Sequence, residues 1–153
     1  MNMMLPRVLP SVVNRTDCIF YHSIDLPGET ITGIWDIRGA FSEYIGNVDL
    51  RGKSVLDVGT AGGFLAFEAE KAGAASVLAL DARTLMDQVR VPIQGTDYCE
   101  SKAGWASERA VDLDRQKNAF WFAHHALRSK CPSADFLSHL SRLAADKKIA
   151  CTR

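Results

Sequence analysis

No sign of charge predominates in this chain of 153 residues, in which 18 Lys and Arg face 18 Asp and Glu. That balance gives no compositional support for wrapping nucleic acid, although a local basic patch is not barred. Long hydrophobic runs are missing too: nothing approaches the ~20 apolar residues of a membrane-spanning helix, so no membrane partner is expected. The cysteines (Cys18, Cys99, Cys131 and Cys151) lie far apart and form no C-x-x-C pair. At 47% hydrophobic residues the chain has core enough to fold without a disulfide framework, so reduced thiols and a cytoplasmic setting are expected. Repeats and low-complexity tracts are absent as well. This hydrophobicity without net charge excludes disorder, and the length suits about one domain.

What is present divides the chain in three. Met1–Arg15 is apolar and acid-free, but Pro6 and Pro10 interrupt it and no small-residue cleavage site follows, so residues 1–17 read as a poorly ordered lead-in. Cys18–Ile24 is aromatic and β-branched and reads as a strand; the turn Leu26-Pro27-Gly28 follows, with Ile31–Trp35 as hairpin partner. Arg38–Ile45 reads as a short helix stopped by Gly46-Asn47. Next come a buried strand, Lys53–Val58, a glycine-rich turn, Gly59–Gly63, a helix, Phe64–Ala72, and a second buried strand, Ser76–Leu80, with Asp81 at its carboxyl end. Such a βαβ crossover is right-handed in nearly all cases, which brings both strand ends to one edge of a parallel sheet. Arg83–Leu113 has no clear period and reads as a long excursion. Gln116–Lys130 carries Ala119, Phe120, Ala123 and Leu127 on a helical stripe, which Pro132 breaks. Residues 18–130 therefore form an α/β domain and 131–153 an atypical helical tail, with one more helix at Ala134–Ala145 and a short strand at Lys148–Cys151.

A glycine-rich turn between strand and helix lets a ligand approach the backbone and aims free N–H groups at it. A dinucleotide wants G-x-G-x-x-G, but here the second and third glycine slots after Gly59 hold Ala61 and Phe64. That disfavours a nicotinamide-dependent oxidoreductase. Asp57, just before the turn, also puts a carboxylate where a pyrophosphate would pack. A ligand with an ammonium and a sulfonium gains from that carboxylate instead. Asp81, 22 residues after Gly59, suits the two hydroxyls of a ribose. A ribose and a cation without phosphate describe S-adenosylmethionine.

These residues resemble a known family. VLDVGTAGGF followed by VLALD is similar to the first two motifs of the class I S-adenosylmethionine-dependent methyltransferases. FYHSIDLPGE, WDIR and KNAFWFAHHAL resemble one bacterial branch whose relatives include tRNA wobble-uridine modifying enzymes. The likeness spans about Ile19 to Arg128. It implies a partial Rossmann-like sheet with helices on its faces and an N-terminal strand and helix beside it. It also implies S-adenosylmethionine as cofactor, with Asp57, Gly59, Thr60, Ala61 and Gly63 at the methionine end and Asp81 on the ribose. Ala61, where many members have glycine, is read as a tolerated departure. The family continues into a third strand ending in an adenine-contacting acid and a fourth whose end faces the substrate. Neither pattern is found after Leu127, and Cys131–Arg153 reads as an early end, of the kind a shifted reading frame produces. No catalytic residue is therefore assigned.

Two functions are carried forward: methyl transfer to a small molecule or a tRNA, between which a neutral chain does not choose, and cofactor binding without catalysis. A sheet lacking its later strands exposes an edge and apolar surface, which favours a homo-oligomer. Tyr21 and His22 line either the cofactor mouth or the core, and Trp35, Asp36 and Arg38 suit a structural corner. His124 and His125 have no Cys or Asp at ligand spacing, so no metal is expected.

Overall fold

Two parallel strands and the helix between them position everything else. The computed structural model describes residues 7–8, 11–82 and 102–135, with side chains for 11–82 and 110–133. In chain order the strands are β1 (Arg7–Val8), β2 (Ile24–Leu26), β3 (Glu29–Ile31), β4 (Ser54–Val58), β5 (Ser76–Asp81) and β6 (Ser133–Asp135). The α-helices are α1 (Phe41–Tyr44), α2 (Phe64–Lys71) and α3 (Lys102–Leu127), with 3-10 turns at Arg15–Asp17 and Arg38–Ala40. The architecture is mixed α/β, with a four-stranded sheet ordered β1-β6-β5-β4 and a separate β2–β3 hairpin.

β4 and β5 pair in parallel from Ser54↔Ser76 to Val58↔Leu80, as the β-branched runs around the glycine turn require. α2 lays Phe64, Ala66, Phe67 and Ala69 onto them, and Gly73 (φ +88°) turns the chain into β5. β5 is buried from Val77 onward apart from half-buried Leu78. The expectation that β4 is buried as well needs correction. β4 is at the end of the strand order, and its pleat puts Val55 and Asp57 on the half-covered face while Leu56 and Val58 stay 54% and 59% exposed.

A larger correction concerns the region after Leu127. A third parallel strand exists: β6 pairs with β5 from Ala79↔Ser133 to Asp81↔Asp135. Ser-Ala-Asp has no β-branched run and so gives no local strand signal; the open hydrogen-bonding edge of β5 sets its pairing. Ala79 N–H donates to the Pro132 carbonyl, and buried Cys131 anchors the approach. The helix read at Ala134–Ala145 therefore fails at its start, and its remainder lies outside the described residues, as does Lys148–Cys151. Arg7–Val8 of the presumed lead-in pairs antiparallel with β6.

The excursion read at Arg83–Leu113 is also corrected. α3 begins at Lys102, where Ala, Glu, Arg, Lys and Gln favour helix without an apolar stripe to announce it. Residues 83–101 lie outside the described set. α3 ends in a left-handed Arg128 (φ +53°), and its Phe120 stacks 5.1 Å from Phe67 of α2. The N-terminal hairpin is real but displaced. Pro27-Gly28 makes so tight a turn that Leu26 pairs with Glu29, so the strands hug the turn rather than spanning Cys18–Ile24 and Ile31–Trp35. Further out the runs do not pair as a hairpin: His22 and Trp35 form an isolated parallel bridge, with Ile34 N–H on the Phe20 carbonyl and Trp35 N–H on the Tyr21 carbonyl.

Candidate functional site

The floor of the candidate site is the turn between β4 and α2. Its backbone adopts three left-handed conformations: Gly59 (φ +79°), Ala61 (φ +47°) and Gly63 (φ +85°). Gly63 is needed twice over, because a Cβ there would lie 2.5 Å from the Phe67 ring and 2.6 Å from that of Phe120. Gly59 differs: an added Cβ would meet nothing within 4 Å, so the backbone there borders open space that a ligand can approach. Ala61 carries strain of about 1 kcal/mol that glycine would avoid, so its departure from glycine has a cost as well as a methyl. The Gly59 and Thr60 N–H groups both donate to the Leu80 carbonyl, at 2.8 and 3.1 Å, and tie the turn to the end of β5.

Both acids close on this turn. Asp57 Oδ2 accepts the Thr60 hydroxyl at 2.7 Å, and Asp81 Oδ2 accepts the Ala61 N–H at 2.8 Å from the neighbouring strand. Asp81 Oδ1 takes the Ala82 N–H at 2.7 Å. Asp57, Thr60, Ala61 and Asp81 thus meet at one end of the sheet, as the parallel crossover requires. Burial pushes the Asp57 carboxyl above its ordinary range; the Thr60 hydroxyl opposes this and the negative charge of Asp81 adds to it. The floor is therefore rich in hydrogen-bond acceptors, and a cation suits it better than an anion.

The wall is the segment Phe20–Trp35. The His22 ring lies 5.5 Å from that of Phe64, the first residue of α2, and 4.8 Å from that of Tyr21. Burial lowers the His22 pKa, with Asp57 pulling the other way. Its Nδ1 is buried and has no hydrogen-bond partner among the described residues. Two residues that the sequence did not single out fix this wall. A Cβ on Gly33 would fall 2.3 Å from the His22 carbonyl carbon, and buried Ser23 accepts the Gly33 N–H on Oγ at 3.0 Å. Neither carries a local pattern, since the contact joins two stretches ten residues apart. Tyr21 and Trp35 stand 37% and 57% exposed beside them.

The corner read at Asp36 and Arg38 is an ion-pair cluster in which the Arg38 guanidinium holds Asp36 and Asp25, both at 2.6 Å. On α3, His125 Nε2 contacts the Ser11 carbonyl at 3.0 Å, whereas His124 packs against Trp121 and Phe120. Cys18 and Cys131 are free thiols; burial pushes Cys131 up to about 12. No helix among the described residues is long and apolar enough to cross a membrane.

The carboxyl ends of parallel strands, here an acceptor-rich glycine turn, are where open α/β sheets hold their ligands. A stretch of 51 residues, 33% of this chain, is 49% identical to the ribosomal protein L11 methyltransferase of Deinococcus radiodurans. The chain covers 17% of that relative's length. No protein-family model matches. The similarity is thus to one stretch of a methyltransferase.

Proposed function

We propose that the chain binds S-adenosylmethionine over the turn Gly59–Gly63 and serves in methyl transfer, with β4, β5 and β6 as part of a Rossmann-like sheet. One observation carries the reading. Two carboxylates from adjacent strands, Asp57 and Asp81, close on a single turn whose backbone at Gly59 borders open space. The fit is chemical: an acceptor-rich turn suits a nucleoside that carries a positive charge. When bound, the cofactor supplies an electrophilic methyl on its sulfonium.

The chain's own residues bind and orient. Gly59, Ala61 and Gly63 shape the turn for close approach, and Thr60 holds Asp57 toward the cationic end. Asp81, whose two oxygens also take the Ala61 and Ala82 N–H groups, accepts the ribose hydroxyls. Asp135, whose Cα pairs with that of Asp81 at the end of β6, stands where an adenine-contacting acid is expected. Register and exclusion of water supply much of the acceleration in such an in-line displacement. The acceptor is proposed as a tRNA, a small molecule or, from the relative's name, a ribosomal protein, and the setting as cytoplasmic.

A second reading is binding without turnover, favoured by the uncovered Leu56 and Val58 on β4. Calorimetric titration with S-adenosylhomocysteine tests the first. The wild type is expected to bind, and Asp81→Ala to weaken binding about tenfold or more, as expected for lost hydrogen bonds to a charged group. No heat from the wild type overturns the reading, and an unchanged Asp81→Ala removes the ribose assignment. Transfer of labelled methyl from S-adenosylmethionine to tRNA, ribosomal protein or small-molecule pools would sink the binding-only alternative.

A further inference from the structure

The strand that carries Asp135 has little in its own sequence to say where it should sit. β6 is Ser133-Ala134-Asp135, with no apolar alternation, and a strand without such a pattern has a weakly specified register. A slip of one residue against β5 would turn Asp135 to the other face of the sheet. On its far edge β1 supplies only Arg7 and Val8. Yet β6 pairs with β5 in one definite register, from Ala79↔Ser133 to Asp81↔Asp135.

The segment that leads into β6 is held from outside by one carboxylate. Glu70, in the last turn of α2, accepts the Ser129 hydroxyl on Oε2 at 2.6 Å and the Lys130 N–H on Oε1 at 2.9 Å. Ser129 Oγ in turn accepts the Cys131 N–H at 3.0 Å. Two consecutive backbone N–H groups thus depend on Glu70, one directly and one through a hydroxyl. Both Glu70 oxygens are used as acceptors, which a glutamine amide would not allow. Glu70 and Ser129 are half-buried, where a charge-assisted hydrogen bond is stronger than in open water. Just beyond, the Pro132 carbonyl takes the Ala79 N–H at 3.0 Å, and the ladder begins. Pinning Lys130 and Cys131 therefore fixes which residue of β6 meets Asp81.

We infer that Glu70 is a positioning residue: its carboxylate sets the register of β6 and so keeps Asp135 level with Asp81 at the ligand end of the sheet. α2 then serves the site from both of its ends, since its first turn follows the glycine turn and its last turn places β6. The inference rests on the S-adenosylmethionine reading only for what Asp135 contacts there, the adenine. The register itself belongs to the unliganded chain.

Register is read first, without ligand, by amide exchange and interstrand nuclear Overhauser contacts. In Glu70→Ala the amides of the β5–β6 ladder should exchange about tenfold faster or more, as expected for lost hydrogen bonds to a charged group, while those of the β4–β5 ladder stay within about twofold. The contacts at Ala79↔Ser133 and Asp81↔Asp135 should weaken together. Ser129→Ala removes only the hydroxyl bridge and should show the same pattern at smaller size, which decides the matter if Glu70→Ala does not fold. Glu68→Ala, whose carboxylate pairs with Lys71 instead, should leave both ladders unchanged. Unaltered β5–β6 exchange in Glu70→Ala and Ser129→Ala, or equal losses in both ladders, overturns the inference. The second readout is ligand preference between S-adenosylhomocysteine and S-inosylhomocysteine, which has an oxygen in place of the adenine amino group. In calorimetric titrations the wild type should favour the first about tenfold, and Glu70→Ala and Asp135→Ala should each abolish that preference, with no further loss in the double variant. Equal weakening of both ligands by Glu70→Ala, with the preference kept, overturns the inference as well. Failure of the wild type to bind either ligand removes the cofactor reading, and failure to tell them apart removes the adenine assignment. In both cases the ladder measurements still decide the register.

Discussion

The floor of the candidate site, Asp57–Phe64, and its wall, Phe20–Trp35, are held by different means. The floor is a matter of backbone conformation: three left-handed residues in five positions, tied to Leu80 and to two carboxylates close in sequence or on the adjoining strand. The wall has almost no regular ladder. It depends on close approach, with Gly33 against the His22 backbone and a single bridge to Trp35. A glycine therefore means opposite things in the two regions. At Gly59 there is room for a side chain but the left-handed dihedral opposes it, whereas at Gly33 the dihedral is ordinary and there is no room.

The contrast breaks most sharply at Gly33. Its neighbours are backbone atoms at 2.3–2.6 Å, which cannot rotate aside, so Gly33→Ala must push two segments apart. A loss of about 3 kcal/mol is expected, read as a fall of roughly 10 °C in melting temperature. A fall under about 2 °C would show that the wall is not held by close approach. Gly59→Ala should cost less, about 1–2 kcal/mol, because only the left-handed conformation opposes it. Equal losses at the two sites would erase the distinction.

Asp57→Asn sharpens the comparison through pH. The folded-state pKa of Asp57 is raised by burial, so its contribution to stability is fully present below the ordinary carboxylate value and is lost as pH rises through the folded-state value. Removing the charge should make the variant more stable than wild type at pH 7, with the gap closing on acidification toward the ordinary carboxylate range. Its affinity for S-adenosylhomocysteine should fall at the same time, since the charge that burdens the fold serves the ligand. Melting curves across that range, with titration at pH 7, check both halves. Ala61→Gly should have the smallest effect. Relief of about 1 kcal/mol of left-handed strain is offset by glycine's loss of about 0.5–1 kcal/mol of chain entropy, leaving the melting temperature nearly unchanged.

The floor was legible in the sequence because its signals are local. A β-branched run, then Gly59-Thr60-Ala61-Gly62-Gly63, a helix and a second apolar run specify a parallel βαβ unit, and the crossover brings Asp57 and Asp81 to the same end. The wall was not legible in that way. Tyr21 and His22 stood out only as residue types, and nothing in the sequence around Gly33 announces that it must meet the His22 backbone. β6 was missed for a related reason: three small or polar residues make a strand only because β5 offers an open edge. The first half of α3 was missed because it follows helix propensity rather than an apolar period.

The central claim is that the turn itself holds the ligand, and amide chemical-shift mapping during addition of S-adenosylhomocysteine tests it most directly. The account predicts saturable shifts at Gly59, Thr60, Ala61 and Ala82, where the floor backbone meets the two acids. Shifts confined instead to the 180 Å³ cavity lined by Phe67, Glu70, Lys71, Leu127, Arg128 and Ser129, or no shifts at all, would contradict it.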